Sequence, residues 1–305
     1  MIDLSVVILS FNTKELLREC LKSIFVSAGV DTKTPRGCSL EIIVVDNASG
    51  DESAGMVREE FKDVSLIANS ENVGYAKGNN QGVNIAEGRY ILFLNADTVV
   101  YKDTLKTMVA FMDEHKDVGA ATCRVELPNG KLDDSCHRGF PTPWRSFSYF
   151  AGFSKLFPKV AFFAGYNLTH LDITTIHEID SCSGAFMIVR REAGEEVGWW
   201  DEDFFWYGDD LDFCYRLKEK GWKVYFVPTV KILHYKGVSG GIKEISKHLT
   251  VATRETVIRA TNARFDAMRK FYKKHYINKY PAIITWLVLG GINLKHWVTL
   301  RSLQG

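Results

Sequence analysis

The sequence lacks most of the short motifs that identify common nucleotide-binding and metal-binding proteins. Its six cysteines include no Cys-x-x-Cys pair, which excludes the usual zinc and redox spacings and favours reduced thiols. No Gly-x-Gly-x-x-Gly follows the first strand-like segment, and P-loop, Gly-x-Ser-x-Gly and His-Glu-x-x-His motifs are missing. The formal net charge of +1 provides no global field for nucleic acid, so we expect no nucleic-acid partner.

Long apolar runs are also missing. The longest, at 281–294, has about 14 residues, fewer than the ~20 that a membrane-spanning helix needs. The first residues lead into a strand-like segment without a basic leader, so we expect no signal peptide. We therefore expect a cytoplasmic protein.

The chain does contain an alternation of apolar strands with helical patterns. Strands are predicted near 4–9, 41–46, 64–68 and 90–94, and helices near 15–26, 52–61, 75–86 and 102–115. This alternation predicts a doubly wound, mostly parallel α/β sheet. An irregular middle at 124–177 precedes a strand pattern at 180–190, a helix at 208–220, and strands at 223–227 and 229–233 broken by Pro228. We expect one domain at 1–240 and a helical C-terminal region at 241–305.

Polar residues follow three predicted strands, where ligands bind in such sheets. They are Ser10-Phe11-Asn12, Asp46-Asn47 and Asn95-Ala96-Asp97. Asp97 offers a hard oxygen ligand for Mg²⁺ or Mn²⁺, although a helix-capping aspartate would look the same. Asp46 can accept a hydrogen bond from a pyrimidine ring N–H, or it can simply be a turn residue.

The helix that begins after Gly208 carries acidic residues in its first turn, as the helix dipole favours. Asp210 shares a stripe with apolar positions 213, 214 and 217, so we expect it to face the interior or a cleft. A carboxylate in a cleft has a raised pKa and can act as a general base. Asp209 and Asp212 are expected to be structural or solvent-facing. His234 ends a strand and becomes a metal-ligand candidate only if it meets Asp97 in space.

These blocks together resemble glycosyltransferase family 2, and within it the bacterial rhamnosyltransferase branch. The resemblance covers about residues 4–240 and rests on the order and spacing of five blocks. The blocks are 7–12 (VILSFN), 43–49 (IVVDNAS), 72–76 (NVGYA) with Asn80, 93–97 (FLNAD) and 204–212 (FFWYGDDLD).

The resemblance implies a GT-A fold, a nucleotide-sugar donor and inversion at the anomeric carbon. It assigns Asp46 to binding of the nucleotide's base and Asp210 to the role of catalytic general base. It assigns Asp97 with His234 to binding of a divalent cation, Mg²⁺ or Mn²⁺. The other implied donor contacts are Ser10, Asn12, Asn72, Gly74, Asn80 and Asn95. The family's metal motif is usually Asp-x-Asp, and here Asn95 takes its first position. Asn79 stands where many relatives have Arg.

Two further regions remain open to more than one interpretation. The aromatic run before Asp210 is equally compatible with sugar stacking and with core packing, and we name Trp199, Trp200 and Asp209 as candidate acceptor contacts. Residues 265–295 interleave cations with aromatics and then become apolar. They either pack on the main domain or on a second subunit of a homodimer, or they bind the inner face of the plasma membrane.

We therefore expect an inverting glycosyltransferase that uses dTDP-rhamnose as its donor. The acceptor is expected to be a hydroxyl of a cell-surface polysaccharide or of a polyprenyl-linked glycan precursor. UDP-galactose, UDP-N-acetylglucosamine and UDP-galactofuranose are alternative donors, and a non-catalytic nucleotide-sugar-binding protein on the same fold is the rival. A nucleotidyltransferase would need a Gly-rich loop bearing Arg or Lys after the first strand, and none is present.

Overall fold

The computed structural model describes residues 2–27, 39–236 and 253–304. Cys38, the boundary expected at 240/241 and the start of the basic C-terminal region lie outside these residues. The strands are β1 (Leu4–Ser10), β2 (Leu40–Asp46), β3 (Ser65–Ala68), β4 (Tyr90–Asn95), β5 (Thr98–Val100), β6 (Val118–Glu126), β7 (His177–Ile179), β8 (Phe186–Arg190) and β9 (Lys223–His234).

The helices of the first 236 residues lie between these strands. They are α1 (Lys14–Ser27), α2 (Ser53–Glu60), α3 (Tyr75–Ile85), α4 (Thr104–Glu114), α5 (Pro143–Phe150), α6 (Phe153–Leu156), α7 (Ala161–Ala164), α8 (Arg191–Val197) and α9 (Asp209–Glu219). Two long helices follow near the end of the chain, α10 (Arg254–His275) and α11 (Ala282–Gln304).

The strands form one mixed sheet with the order β3-β2-β1-β4-β8-β6-β9-β5, and β7 pairs with β9. Strands β3, β2, β1 and β4 are parallel, as are β6 and β9, whereas β8, β5 and β7 run antiparallel to their neighbours. The predicted doubly wound, mostly parallel sheet is therefore confirmed. Its central strands are buried on both faces, which explains their continuous apolar sequence.

Helix α3 lies unusually close to β1 because of two glycines on its inner face. A Cβ at Gly78 would overlap the side chain of Leu9, and one at Gly82 would overlap Val7. This close packing places the beginning of α3 directly beside the carboxyl end of β1, where the polar residues of the first block lie.

Several strands differ from the sequence prediction, and the short strands β5 and β7 were not predicted. Strand β6 was not predicted, because its first half is built from small residues that give no strand pattern. Strand β9 is continuous rather than two strands, but its pairing with β6 shifts from Val227 opposite Cys123 to Lys231 opposite Arg124. Pro228 lies within this shift, where its missing N–H costs no ladder hydrogen bond. Beyond it, β9 pairs with β5 and sets His234 opposite Thr98.

Helix α10 packs on the main domain. Phe271, Tyr272 and Tyr276 are buried, and they belong to the first part of 265–295, the run in which cations alternate with aromatic residues. Lys274 Nζ lies 2.7 Å from the buried carboxylate of Asp212 on α9, and Lys270 donates to the carbonyl oxygen of Asp203. For this run, the packing interpretation is the one that the structure supports.

Helix α11 is longer than the apolar run suggested. It extends over 23 residues, and the 22 residues Ala282–Leu303 are long and apolar enough to cross a membrane by length and composition. The statement that this region is too short to span was therefore wrong, because the helix continues through polar residues beyond the run. Polar contacts hold α11 antiparallel to α10, among them Tyr272 Oη with Thr285 Oγ1 at 3.2 Å and His296 Nε2 with Asn262 Oδ1 at 2.8 Å.

Candidate active site

A large cavity of about 1240 Å³ opens at the carboxyl ends of the parallel strands. We call it the central cavity. Its polar end is lined by Asn47, Asn72, Gly74, Asn95, Asp97, Arg138, Asp209, Asp210, His234 and Lys236. Its other end is lined by aromatic and aliphatic side chains of α5, α10 and α11 and of the loop 205–207. One cavity therefore joins a charged end to an apolar end.

Asp97 and His234 meet in the charged end, as the sequence hypothesis required. His234 Nε2 lies 3.3 Å from Asp97 Oδ1, and Asn95 Nδ2 lies 3.4 Å from the same nitrogen. The contact follows from topology: β5 continues directly from the Asn95–Asp97 turn and pairs with the end of β9. Tyr235 N also donates to the carbonyl oxygen of Asp97 at 2.9 Å, which closes the turn against β9.

The other ring nitrogen of His234 contacts a carboxylate that the sequence did not indicate. His234 Nδ1 lies 3.1 Å from Asp133 Oδ2, and Asp133 also accepts from Lys236. Burial by itself lowers the pKa of His234, but the carboxylates of Asp97 and Asp133 outweigh burial and raise this pKa to about 9. Burial by itself would raise the pKa of Asp133, yet His234 and Lys236 hold it far below its usual range. The imidazole is therefore oriented from both sides.

The Asp97–His234 pair could hold a small divalent cation in place of the Nε2 proton that the two carboxylates favour, because a metal-binding imidazole nitrogen is deprotonated. Its two ligand atoms are 3.3 Å apart, close to the ~3 Å between adjacent ligands of an octahedral ion with bonds of ~2.1 Å. Asp133 would hold the ring by accepting from Nδ1, the usual support of a metal-binding histidine. Among the described residues, no group of three or more His, Cys, Asp or Glu side chains could hold a metal. The remaining ligands would have to come from a substrate, as is common for Mg²⁺.

Asp210 lies on the wall of the same cavity. Phe213, Cys214 and Leu217 are fully buried, so the predicted inward stripe of α9 is confirmed. Asp210 Oδ2 accepts from Arg138 Nη2 at 2.5 Å, and its Oδ1 accepts from Leu211 N at 2.8 Å. The Nε atom of Arg138 is buried without a partner, so this guanidinium keeps a free donor near the cavity.

Asp209 differs from the expectation that both neighbouring aspartates are structural or solvent-facing, whereas Asp212 agrees with it. Asp209 is buried, lines the central cavity, and is not solvent-facing. Burial, and then the neighbouring charge of Asp210, raise the pKa of Asp209 to about 8. Asp212 points away from the cavity and contacts Arg216, Lys274 and His275 at 2.7 Å each, so its role is structural.

The predicted donor contacts separate into two groups. Asn72, Gly74, Asn95 and Asp97 line the central cavity, whereas Ser10, Asn12, Asp46 and Asn80 do not. The amide oxygen of Asn12 accepts from Gly50 N at 2.8 Å, and Ser10 Oγ lies 3.1 Å from Thr13 Oγ1, so both stabilise the loop after β1.

Asn80 fixes the loop after α8 by contacts with Trp200. Its Nδ2 donates to Trp200 O at 3.0 Å, and Trp200 N donates to its Oδ1 at 3.1 Å. Asn80 therefore stabilises the loop after α8 and does not line the central cavity.

Asp46 is buried at the end of β2 with one carboxylate oxygen satisfied and one free. Its Oδ2 accepts from Ser49 N at 3.0 Å, while its Oδ1 is buried with no hydrogen-bond partner. A buried acceptor without a partner is costly, and a ligand donor would relieve that cost. The next residue, Asn47, lines the central cavity and binds Asn72 and Gly74 through its amide nitrogen.

The two tryptophans that were predicted to contact an acceptor lie in the core and not at the central cavity. Trp199 and Trp200 do not line the central cavity; both pack against Phe93 and Phe213 in the core. Core packing is therefore their role. The cavity is instead lined by Phe205, Trp206 and Tyr207 of the same run, and Tyr75 N anchors this loop by donating to Phe205 O at 2.9 Å.

Comparison with known proteins agrees with this architecture. The family model described as "Glycosyl transferase family 2" matches residues 5–198. "Rhamnosyltransferase WbbL" of Escherichia coli is 30% identical over 153 residues, 49% of this chain and 53% of that protein. "N-acetylglucosaminyl-diphospho-decaprenol L-rhamnosyltransferase" of Mycobacterium tuberculosis is 22% identical over 293 residues, 92% of this chain and 89% of that protein. The match thus spans about half the length of the first relative and most of the second.

Solved structures share the fold at low sequence identity. "Crystal structure of S. aureus TarS 1-349" has a TM-score of 0.54 at 16% identity, covering 97% of this chain and 81% of that one. "Crystal structure of GalNAc-T7 with UDP, GalNAc and Mn2+" has a TM-score of 0.56 at 17% identity, covering 89% and 50%. The predicted GT-A fold is confirmed. Because the family model matches most of the chain, the chain belongs to glycosyl transferase family 2, and within it the chain is similar in sequence to rhamnosyltransferases.

Proposed function

We propose that the chain transfers rhamnose from dTDP-rhamnose, with inversion, to a hydroxyl of a lipid-linked glycan precursor for a cell-surface polysaccharide. The observation that carries the proposal is the pairing of Asp97 with His234 and the ion pair of Asp210 with Arg138, both on the wall of one cavity. In a transfer reaction the donor diphosphate and the acceptor hydroxyl must lie side by side, so the residues that bind them must line the same cavity. The rhamnosyl group itself is proposed from the names of the two sequence relatives.

The nucleoside is assigned to the edge formed by the ends of β1 and β2. The free Oδ1 of Asp46 suits the ring N–H of a pyrimidine, and Asn72 and Gly74 would border the nucleotide from the start of α3. Because thymine and uracil both carry this N–H, Asp46 does not distinguish dTDP from UDP. A UDP-sugar is therefore the alternative donor within the same mechanism.

The diphosphate is assigned to Asp97 and His234, which would hold a divalent cation, with Asn95 beside them. When bound, the cation neutralises the negative charge that develops on the departing diphosphate. Arg138 and Lys236 add positive charge at the same end of the cavity. These residues would position the leaving group before any bond is broken.

Asp210 is assigned as the general base. Its carboxylate takes the proton of the acceptor hydroxyl as that oxygen attacks the anomeric carbon. The bond from the anomeric carbon to the diphosphate breaks at the same time, and the nucleoside diphosphate leaves with the electron pair. Arg138 fixes the carboxylate through Oδ2. Burial and the neighbouring charge of Asp210 raise the pKa of Asp209, which favours its protonated form, and this form would donate a hydrogen bond to a sugar oxygen.

The acceptor is assigned to the apolar end of the cavity. A free oligosaccharide would need polar partners there, but this end is lined by side chains such as Phe147, Phe271, Leu287 and Val288. Arg259, Arg264 and Lys295 also line it and could meet the phosphates of a lipid carrier. The apolar wall with cations therefore favours a polyprenyl-linked acceptor, and it supports a location of the protein at the inner face of the plasma membrane.

The proposal is tested by donor selection. We expect dTDP-rhamnose with Mn²⁺ to raise the melting temperature more than UDP-galactose, UDP-N-acetylglucosamine or UDP-galactofuranose does, because ligand binding stabilises the folded state. Transfer of radiolabelled rhamnose to a polyprenyl-diphosphate-linked sugar should then be detectable. Stabilisation by a UDP-sugar, with transfer of that sugar, would replace the donor and retain the mechanism. Nucleotide-sugar binding without transfer to any lipid-linked acceptor would refute the assignment.

A further inference from the structure

We propose that two separate segments form one face that rests on an anionic lipid surface. The first is the aromatic segment, residues 143–164, which contains α5, α6 and α7. The second is α11. This inference goes beyond the transfer reaction, because it concerns how the protein is held and does not depend on the sugar transferred. The proposed face also differs from residues 265–295, the membrane-contact candidate from the sequence, since α10 packs on the main domain.

The aromatic segment exposes a contiguous set of large rings and aliphatic side chains. Trp144, Phe147, Phe150, Leu156, Phe157, Val160 and Phe162 are all exposed. They are not scattered, because Trp144 contacts Phe147, Phe162 and Phe163, and Phe163 also contacts Phe153 and Phe157. A contiguous exposed apolar patch of this kind marks an interaction site.

Helix α11 exposes a second set of the same kind. Ile283, Trp286, Leu287, Leu294, Trp297 and Val298 are exposed. The opposite side of the helix is held along α10 by contacts near both of its ends. Thr285 contacts Tyr272 near the start, and the carbonyl oxygen of Leu303 accepts from Arg254 at 2.7 Å near the end. A helix fixed along its length in this way favours lying on a membrane rather than crossing it.

The two segments meet beside the central cavity. Lys295 Nζ of α11 lies 3.4 Å from the centre of the Phe150 ring of α5. Phe147 and Phe150 on one side, and Leu287 and Val288 on the other, line the apolar end of the central cavity. The exposed face therefore surrounds the end of the cavity that a lipid-linked molecule would enter.

The charges of the two segments indicate that the face binds an anionic lipid surface and not a second copy of the chain. The chain has 37 acidic residues, but neither 143–164 nor 282–304 contains any. Exposed cations accompany the apolar side chains in both segments, namely Lys155 and Lys159 in one and Lys295 and Arg301 in the other. Aromatic and aliphatic side chains mixed with cations match the boundary of an anionic bilayer. A second copy of the same face would bring like charges together.

The first experiment measures flotation of the full chain with vesicles. We expect tight binding to vesicles of 30% phosphatidylglycerol and 70% phosphatidylcholine, and binding at least about tenfold weaker to phosphatidylcholine alone. L156Q/F162Q in the aromatic segment and W286Q/W297Q in α11 should each weaken binding about tenfold or more. V26Q/I85Q, a pair of exposed apolar positions outside both segments, should bind like the wild type.

Hydrogen exchange of the wild type keeps the test independent of how the variants fold. Anionic vesicles should protect amides in both 143–164 and 282–304 and leave α3 unchanged. Protection confined to 282–304, or equal binding by L156Q/F162Q and the wild type, would overturn the two-segment surface. So would a dimer in sedimentation, abolished by both double variants, in a protein that does not float with vesicles.

Discussion

Asp212 provides the sharpest test of how the C-terminal helices are joined to the domain that carries the cavity. Its carboxylate is fully buried on α9 and contacts two cations, Arg216 on the same helix and Lys274 on α10, as well as the imidazole of His275 on α10. Substituting it with asparagine keeps its size and removes the charge. The change therefore addresses the electrostatic contribution of the cluster without creating a cavity.

The size of the effect follows from the pKa of Asp212. Burial by itself would raise this pKa, but the hydrogen bond from His275 and the charge of Arg216 help to lower it to about 2, from 3.8 for an unperturbed aspartate. A shift of this size corresponds to about 2 kcal/mol of stability near neutral pH. Arg216 would keep its hydrogen bonds to the carbonyl oxygens of Val197 and Trp199, and Lys274 would keep its ion pair with Asp201, so neither cation is left without a partner. We expect D212N to lower the free energy of unfolding by about 2 kcal/mol.

Urea unfolding at several pH values measures this effect. The folded pKa lies below the unfolded one, so the contribution is fully present above about pH 4 to 5 and is lost as the pH falls towards 2. The difference between wild type and D212N should accordingly shrink over that range. D266N is the control: it removes the exposed carboxylate that pairs with Arg269 on the same α10, and should cost less than about 1 kcal/mol. A loss for D212N no larger than that for D266N, or one independent of pH, would refute the reasoning.

Three further predictions concern the central cavity. D97N should raise the Mn²⁺ concentration needed for half-maximal transfer about tenfold or more, whereas D103N on the nearby exposed turn should not, as metal titrations of initial rates will show. D46N should weaken nucleotide binding about tenfold in calorimetry, with little change in kcat at saturating donor, because the proposed contact holds the base and not the reacting atoms. G74A combines a positive φ of 89° with a Cβ placed 2.7 Å from Phe205 Cδ2, so it should cost about 1–3 kcal/mol in urea unfolding. G130A has a positive φ but open space around it and should cost less; equal losses would show that Phe205 does not restrict Gly74.

The sheet was largely predictable because its strands are buried on both faces. Strands β1, β2 and β4 are continuous apolar runs with helical periodicity between them, so their sequence alone distinguishes them. Strand β6 was not predicted, because it begins with the small residues of Val118-Gly119-Ala120-Ala121. Gly119 is required there by the close approach of Trp222, which is a tertiary constraint that no local pattern reveals.

The site was predictable where residues follow strand ends and not where they are recruited from distant loops. Asp97 and Asp210 were found from a strand terminus and a helix stripe, and the structure places both on the central cavity. Asp133 and Arg138 were missed, because they lie in an irregular segment and meet His234 and Asp210 across 101 and 72 residues. Trp199 and Trp200 were named as candidates because a tryptophan pair looks the same in a core as at a sugar site.

The central claim is that Asp210 acts on the acceptor at the place where Asp97 and His234 hold the donor diphosphate. The most direct test is the rate of sugar transfer by D210N at saturating donor and acceptor, together with its affinity for the nucleotide sugar. The account predicts that kcat falls at least about a hundredfold, while the donor dissociation constant stays within about threefold of the wild-type value. A D210N enzyme that transfers at a rate within tenfold of the wild type would contradict it.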